Sequence, residues 1–312
     1  MTSVLERLPQ GARVALIRLR SLGDCILATP AIQLLKTARP DLRIAVVVEP
    51  RWAAVYEGNP DVEATLPPNF RALRAWHSSL VLNLHGGGTS AKLTALSGAK
   101  WRAGWARFRH SYLYNVRIAR AQEILGNERK VHTAEHAASA VFALGVPVSE
   151  VPPAKLFASG GGRMSRYAVI HPFASERAKT WSPANFLDVA RLLRNELDLE
   201  PVFLGGPGDD LSPFSEFECF TGAPLSATKN LIAAAGLFIG NDSGPAHLAA
   251  AFRVPCVVLF GPSDPAIWGP WKTQSAVLQA SPLDGIGAGE VVRFARKLVD
   301  PALSPVLATV AS

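Results

Sequence analysis

The residues of this 312-residue chain best suited to chemistry stand in three short polar segments, each directly behind an apolar run. One is Gly240-Asn241-Asp242-Ser243-Gly244-Pro245-Ala246-His247, between a run ending at Ile239 and an alanine-rich stretch reaching Phe252. Ser243 or Gly244 suits a helix N-cap and Pro245 a first turn, so free backbone N–H groups and the positive helix end would point beyond the strand. Such a turn attracts anions. Gly244 would let a diphosphate approach the backbone, Ser243 adds a hydroxyl donor, and His247 can donate to a phosphate oxygen from the first turn. The same residues would also make a plain, well-capped helix of a doubly wound fold.

A second segment, His171-Pro172-Phe173-Ala174-Ser175-Glu176-Arg177-Ala178-Lys179-Thr180-Trp181-Ser182-Pro183, follows the run at Tyr167. Lys179 is a compact positive charge that can neutralise a leaving diphosphate, and Ser175 can add a hydrogen bond. Trp181, beside Ser182-Pro183, reads as packing against the helix that follows, and Arg177 as a surface residue. The third segment is Arg18-Leu19-Arg20-Ser21-Leu22-Gly23-Asp24. It lacks the G-x-G-x-x-G series of a dinucleotide site, which speaks against a nicotinamide enzyme. Asp24 suits a general base taking a proton from a hydroxyl, or equally a helix-capping aspartate.

These segments need strand ends to carry them. Val14-Ala15-Leu16-Ile17, Ile44 to Val48 and Leu80 to Leu84 are short apolar runs in the first half, and Cys25 to Leu35 has helical spacing with a restart or kink at Thr29-Pro30. The second half predicts strands at Tyr167 to Ile170, Pro201 to Leu204, Leu237 to Ile239 and Cys256 to Phe260. Helices are expected at Pro183 to Leu197, Leu231 to Ala235, after Gly244, and Glu290 to Leu298. Apolar strands alternating with helices indicate an α/β chain with parallel sheets covered on both faces. The Pro- and Gly-rich stretch Val146 to Gly162 breaks the rhythm. It divides the chain into domains 1–155 and 156–312. The tail Ser304 to Ser312 is expected to be mobile.

Composition narrows the class. No apolar run approaches the roughly 18 residues of a membrane span, and the first residues resemble no secretory signal, so a cytoplasmic protein is expected. Cys25, Cys219 and Cys256 are widely separated among apolar neighbours and read as core residues rather than a disulfide or zinc framework. The net charge of +7 is uneven: Ala64 to Gln122 holds nine Lys and Arg and no Asp or Glu, leaving the remainder at −2. A one-sided segment of this kind suits an anionic partner, or else a solvated face.

Together the segments resemble the family 9 glycosyltransferases, the heptosyltransferases that build the inner core of lipopolysaccharide. The resemblance lies in Arg18 to Ile32, His171 to Trp181, Gly240 to Ala251 and Phe260 to Pro265, and extends from about Arg13 to about Val299. It implies a GT-B architecture, two Rossmann-like domains facing across a cleft, with the acceptor on the N-terminal domain, the nucleotide sugar on the C-terminal one, and the last helix crossing back. It also implies an inverting, metal-independent transfer from ADP-heptose, with no cofactor. Carried over residue by residue, Asp24 is the base, Lys179 and Ser175 contact the diphosphate, and Asp242, Ser243, Gly244 and His247 form the nucleotide-sugar pocket. Asp242 is expected at sugar hydroxyls, and Asp209 or Asp210 at the ribose. Relatives often carry two threonines where this chain has Ala174-Ser175, so one hydroxyl contact is missing. No D-x-D pair occurs, in keeping with Lys179 and the helix dipole meeting the leaving group's charge.

The basic segment then acquires a use. Arg20, Arg102, Arg107, Arg109, Arg117 and Arg120 are expected to bind an anionic glycolipid acceptor or to hold the enzyme peripherally at the inner membrane face. Trp101, Trp105, Tyr112 and Tyr114 are sugar platforms or, for most of them, core. Rival readings are a GT-B transferase or epimerase using a UDP-sugar, and a basic nucleic-acid-binding protein; no nucleic acid is expected as a partner.

Overall fold

The computed structural model describes residues 2–159 and 165–300, so the expected tail Ser304 to Ser312 and the glycines at 160–162 lie outside the described residues. The chain divides into two compact units between Leu156 and Phe157, one residue from the expected boundary.

The first unit runs β1 (Arg13–Ile17), α1 (Leu22–Leu27), α2 (Thr29–Ala38), β2 (Arg43–Val47), β3 (Ala64–Leu66), α3 (Phe70–Ala75), β4 (Leu80–Asn83), α4 (Gly88–Leu96), β5 (Trp101–Trp105), β6 (Val116–Ile118), α5 (Ala121–Leu125) and α6 (Thr133–Leu144). The second runs β7 (Ser165–His171), α7 (Pro183–Leu197), β8 (Glu200–Gly205), β9 (Glu218–Thr221), α8 (Leu225–Ala233), β10 (Ala235–Asn241), α9 (Gly244–Ala251), β11 (Cys256–Phe260), α10 (Pro265–Trp268), β12 (Ser275–Gln279) and α11 (Ala288–Val299). Each unit holds a six-stranded parallel sheet among the described residues, in the orders β3-β2-β1-β4-β5-β6 and β12-β11-β10-β7-β8-β9. Both are the same Rossmann-like path: the chain winds outward from its first strand and then returns to that strand's other side. Ligands of such sheets bind beyond the carboxyl ends, where the winding reverses, which is between β1 and β4 in one unit and between β7 and β10 in the other.

The central strands are buried on both faces and so read as unbroken apolar runs. Every residue of β4, β10 and β11 is buried. Strands β3, β5, β6, β9 and β12 carry no such signal. In β5, Gly104 is obligatory, because a Cβ there would stand 2.4 Å from the Tyr114 ring. The helix expected over 231–235 begins earlier, at Leu225 after Pro224, and ends at Ala233, since Ala235 already belongs to β10. Thr29-Pro30 does restart a helix: α2 begins there, with proline in its first turn.

The second unit's core gathers Trp181, Phe186, Phe203, Phe214 and the strand residues, with Phe203 stacked on Phe214 at 4.2 Å between ring centroids. Helix α11 lays Val291, Val292, Ala295 and Leu298 into that same core. In the first unit Ala15, Ile17, Val47, Val81, Leu73 and Leu93 pack together. Of the three cysteines read as core, Cys25 and Cys256 are buried, with thiols pushed up to about 12 chiefly by burial. Cys219 is exposed, because β9 is the edge strand of its sheet.

Candidate active site

At the second unit's reversal point two loops meet, one behind β7 and one behind β10. Asn241, the last residue of β10 and fully buried, joins them: its side-chain amide donates to the Pro172 carbonyl at 2.9 Å, and its oxygen accepts from the Trp181 backbone at 3.2 Å. Gly240 allows that closeness, since a Cβ there would stand 2.8 Å from the His171 carbonyl oxygen. On the other side Gly261 lets the end of β11 pass the turn Arg177–Lys179, where a Cβ would lie 2.5 Å from the Ala178 carbonyl. Trp181 is buried and meets the Phe186 ring edge-on at 4.9 Å, the packing role expected of it.

The result brings Lys179 Nζ to 3.2 Å from Asp242 Oδ2, with side-chain exposures of 22% and 9%. One residue further, Ser243 is the N-cap of α9, with Pro245 in the first turn. Ser243 makes no side-chain capping bond, and its Oγ is buried without a hydrogen-bond partner among the described residues. A buried hydroxyl beside the free amides of a helix start is a donor held ready for an anion. His247 is buried on the same first turn. Lys179 thus meets the segment that carries Asp242, Ser243, Gly244 and His247, and Ser175 is exposed on the Lys179 loop. His171, behind this surface, is hydrogen-bonded to the Leu204 carbonyl at 2.9 Å, and burial pulls its pKa below the usual histidine value. It ties β7 to β8.

Both aspartates of the β8 loop are engaged locally. Asp209 accepts from the Gly206 backbone N–H at 2.7 Å and closes its own turn, half-buried. Asp210 is exposed and accepts from the Ser212 N–H at 2.9 Å; the Ser212 side chain first, and that N–H second, hold its carboxyl below the usual range.

In the first unit, Asp24 sits in the first turn of α1, behind β1. It forms a capping box with Ser21: its Oδ2 accepts from the Ser21 N–H at 3.3 Å and from the Ser21 hydroxyl at 3.1 Å. Its other oxygen pairs with the Arg18 guanidinium. The helix-capping role open to Asp24 in the sequence is thus filled, and its carboxylate stands at the reversal point.

The model of glycosyltransferase family 9 (heptosyltransferase) matches residues 69–284, more than two thirds of the chain. The chain belongs to glycosyltransferase family 9. Lipopolysaccharide heptosyltransferase 3 of Escherichia coli is 30% identical over 292 residues, covering 80% of this chain and 84% of the relative. Among solved structures, a family 9 glycosyl transferase from Veillonella parvula superposes with a TM-score of 0.81 at 21% identity, covering 92% of this chain and 97% of the other. The E. coli ADP-heptose lipopolysaccharide heptosyltransferase II does so with a TM-score of 0.77 at 20% identity, covering 92% and 98%. At these identities the two structures establish the fold.

In this glycosyltransferase the basic segment separates into two groups. Arg102 near the start of β5 donates to the Ala99 and Leu113 carbonyls, and Arg117 within β6 donates to the Ser111 carbonyl, so both tie the backbone. Arg20, Arg107, Arg109 and Arg120 are exposed behind the carboxyl ends of β1, β5 and β6. Arg107 meets His136 Nε2 at 3.1 Å, and that imidazole packs on Trp105, tilted by 31°, with 4.1 Å between centroids. Burial, with Arg107 and Arg18 alongside, pulls the His136 pKa down to about 4. Trp105 and Tyr114 are core, while Tyr112 is 67% exposed.

One segment escaped the sequence reading. His85-Gly86-Gly87-Gly88 follows β4 and opens α4, opposite Asp24's loop at the first unit's reversal point. Asn83 Oδ1 accepts from the His85 and Gly86 N–H groups at 3.0 and 3.3 Å, and Gly86 has φ of +82° against the Phe108 ring. Three glycines directly behind an apolar run were the available signal.

Proposed function

We propose that this glycosyltransferase is an inverting, metal-independent heptosyltransferase that uses ADP-heptose and an anionic lipopolysaccharide inner-core acceptor. The observation that carries the reading is the juxtaposition of Lys179 with Asp242, 3.2 Å apart, at the start of α9. One charge neutralises a diphosphate and the other accepts from sugar hydroxyls, so the pair suits a nucleotide sugar better than a free phosphate. The 30%-identical relative is a lipopolysaccharide heptosyltransferase, and one structure of the same fold is an ADP-heptose enzyme.

In this mechanism Asp24 takes the proton of an acceptor hydroxyl, whose oxygen forms the new bond to the anomeric carbon. The bond to the β-phosphate oxygen breaks on the opposite face, and ADP leaves with the electron pair. Lys179, the Ser243 hydroxyl and the amides after Gly244 meet the charge on the β-phosphate, each well-placed donor contributing about 3 to 4 kcal/mol to the transition state. No metal or cofactor takes part. Ser175 adds a diphosphate contact, and Asp209, half-buried at the β8 carboxyl end, is the better placed of the two aspartates for the ribose. Arg20, Arg107, Arg109 and Arg120 take the acceptor's anionic groups or the inner face of the membrane, the enzyme being cytoplasmic. Among the described residues no helix is long and apolar enough to cross a membrane.

The test is incubation with ADP-heptose and a panel of inner-core acceptors, product mass being read out. Asp24→Ala should abolish turnover while ADP affinity stays near wild type; an active variant removes Asp24 from the mechanism. In thermal shift ADP should stabilise the protein more than UDP or GDP; a larger effect of UDP would point to another donor.

A further inference from the structure

Arg18 is an unusual residue to bury where it stands. Its side chain is 16% exposed, and desolvation draws its pKa below the ordinary arginine value. It follows β1, where its backbone N–H donates to the Val47 carbonyl at 3.1 Å. Its guanidinium spans the reversal point: one nitrogen donates to the Leu84 carbonyl behind β4 at 2.6 Å, and the other faces Asp24 Oδ1. A capping box at the start of α1 requires only Ser21 and Asp24. It gives no reason for a cation anchored on a neighbouring strand to occupy the carboxylate's second oxygen at a desolvation cost. A cavity of about 20 Å³ adjoins the pair, bounded by Leu84 and by His136 of α6, with room for about one water.

We propose that Arg18 is the positioning residue of Asp24: it grips Oδ1 while Ser21 grips Oδ2, fixing the carboxylate's plane and turning its remaining lone pairs toward the acceptor hydroxyl. This rests on Asp24 being the base. Anchorage through Leu84 makes the aim of that base depend on β4 as well as on α1, so the carboxylate is held to the sheet itself and not only to a helix of six residues. Arg18 touches neither substrate. Its influence passes through Asp24 alone.

The experiment compares Arg18→Met, Arg18→Lys, Asp24→Asn and the double variant Arg18→Met/Asp24→Asn in the ADP-heptose and inner-core acceptor assay. Arg18→Met is expected to lower kcat about 100-fold, within the range a positioned base supplies, with KM for ADP-heptose within about twofold of wild type. Arg18→Lys, which restores a cation, recovers about tenfold of that loss. In the double variant the Arg18 substitution adds no further loss to Asp24→Asn, as for residues acting as a unit. A wild-type kcat in Arg18→Met overturns the proposal, and so does an equal loss with and without Asp24. If Arg18→Met does not fold, Ser21→Ala removes the hydroxyl bond to the other oxygen while the backbone N–H keeps its own; a drop of about tenfold in kcat supports the proposal and an unchanged kcat counts against it. A fully active Asp24→Asn would defeat the base reading itself. An inactive Asp24→Asn beside a fully active Arg18→Met defeats only the role of Arg18.

Discussion

A diphosphate that takes Lys179 must draw it from Asp242, its partner at 3.2 Å. The two substitutions therefore have opposite expected effects on ADP. Lys179→Ala removes a charge-assisted bond and should weaken ADP binding in calorimetry by about tenfold to 100-fold; unchanged affinity would refute the contact. Asp242→Asn removes a competitor, so ADP affinity should hold or rise while KM for the nucleotide sugar increases through the lost hydroxyl contact. A second residue-scale prediction concerns His136, whose pKa is drawn down to about 4 by burial and by Arg107 and Arg18. The unfolded chain binds a proton here at a higher pH than the folded one, so the contribution to stability is whole above about pH 6.5 and is lost as pH falls through 4. Denaturation midpoints should decline across that window, by about 3 kcal/mol at most, and His136→Gln should flatten the decline.

Elements place these residues through close backbone approaches. Asn241 holds the β7 loop by two buried bonds, and its replacement by alanine leaves the Trp181 N–H and Pro172 carbonyl unsatisfied. Asn241→Ala is expected to cost about 2 kcal/mol in chemical denaturation. Gly261→Ala pushes a Cβ to 2.5 Å from the Ala178 carbonyl, so the turn carrying Lys179 has to move. ADP affinity should fall about tenfold through that displacement, as small misplacements do, while the melting temperature changes by only a few degrees. An unaltered ADP affinity would mean that the turn's position is unimportant. The strand-helix rhythm was legible because buried parallel strands must be apolar throughout. Strands such as β5 were not, because Arg102 reaches the Leu113 carbonyl and Gly104 makes room for the Tyr114 ring, contacts that the pattern within the strand does not encode.

At the scale of the whole molecule, charge is divided unequally along the chain. Ala64 to Gln122 carries nine basic residues and no acid, all within the first unit. Four of the six arginines expected at the acceptor, Arg20 and three from this stretch, stand exposed at carboxyl-end loops. Attraction between such charges and an anionic acceptor is screened by salt. Raising salt from about 0.05 to about 0.3 M should raise acceptor KM severalfold and leave donor KM nearly constant. Charge reversal at Arg107 and Arg109 should abolish most of that dependence, and an unchanged salt profile would remove these residues from acceptor binding. The same assay with liposomes of anionic lipid reads whether the patch also meets a membrane.

The sequence by itself determined the two doubly wound units, their boundary near 155 and the segments that hold Asp24, Lys179 and Asp242, because apolar runs, glycines and helix-start residues are local signals. Family resemblance assigned the chain to glycosyltransferase family 9, as the matched family model does, and suggested the chemistry of these residues. Only the tertiary structure decided which partner each residue has. The pairing of Lys179 with Asp242 spans 63 positions, and the anchoring of Arg18 on Leu84 spans 66. It also separated Arg102 and Arg117, whose guanidinium groups tie the backbone, from Arg20, Arg107, Arg109 and Arg120 on the carboxyl-end loops, and showed the three-glycine turn after β4 to lie opposite Asp24's loop. Contacts of that kind arise where parallel strands from distant parts of the chain end side by side, and no local spacing records which strands those are.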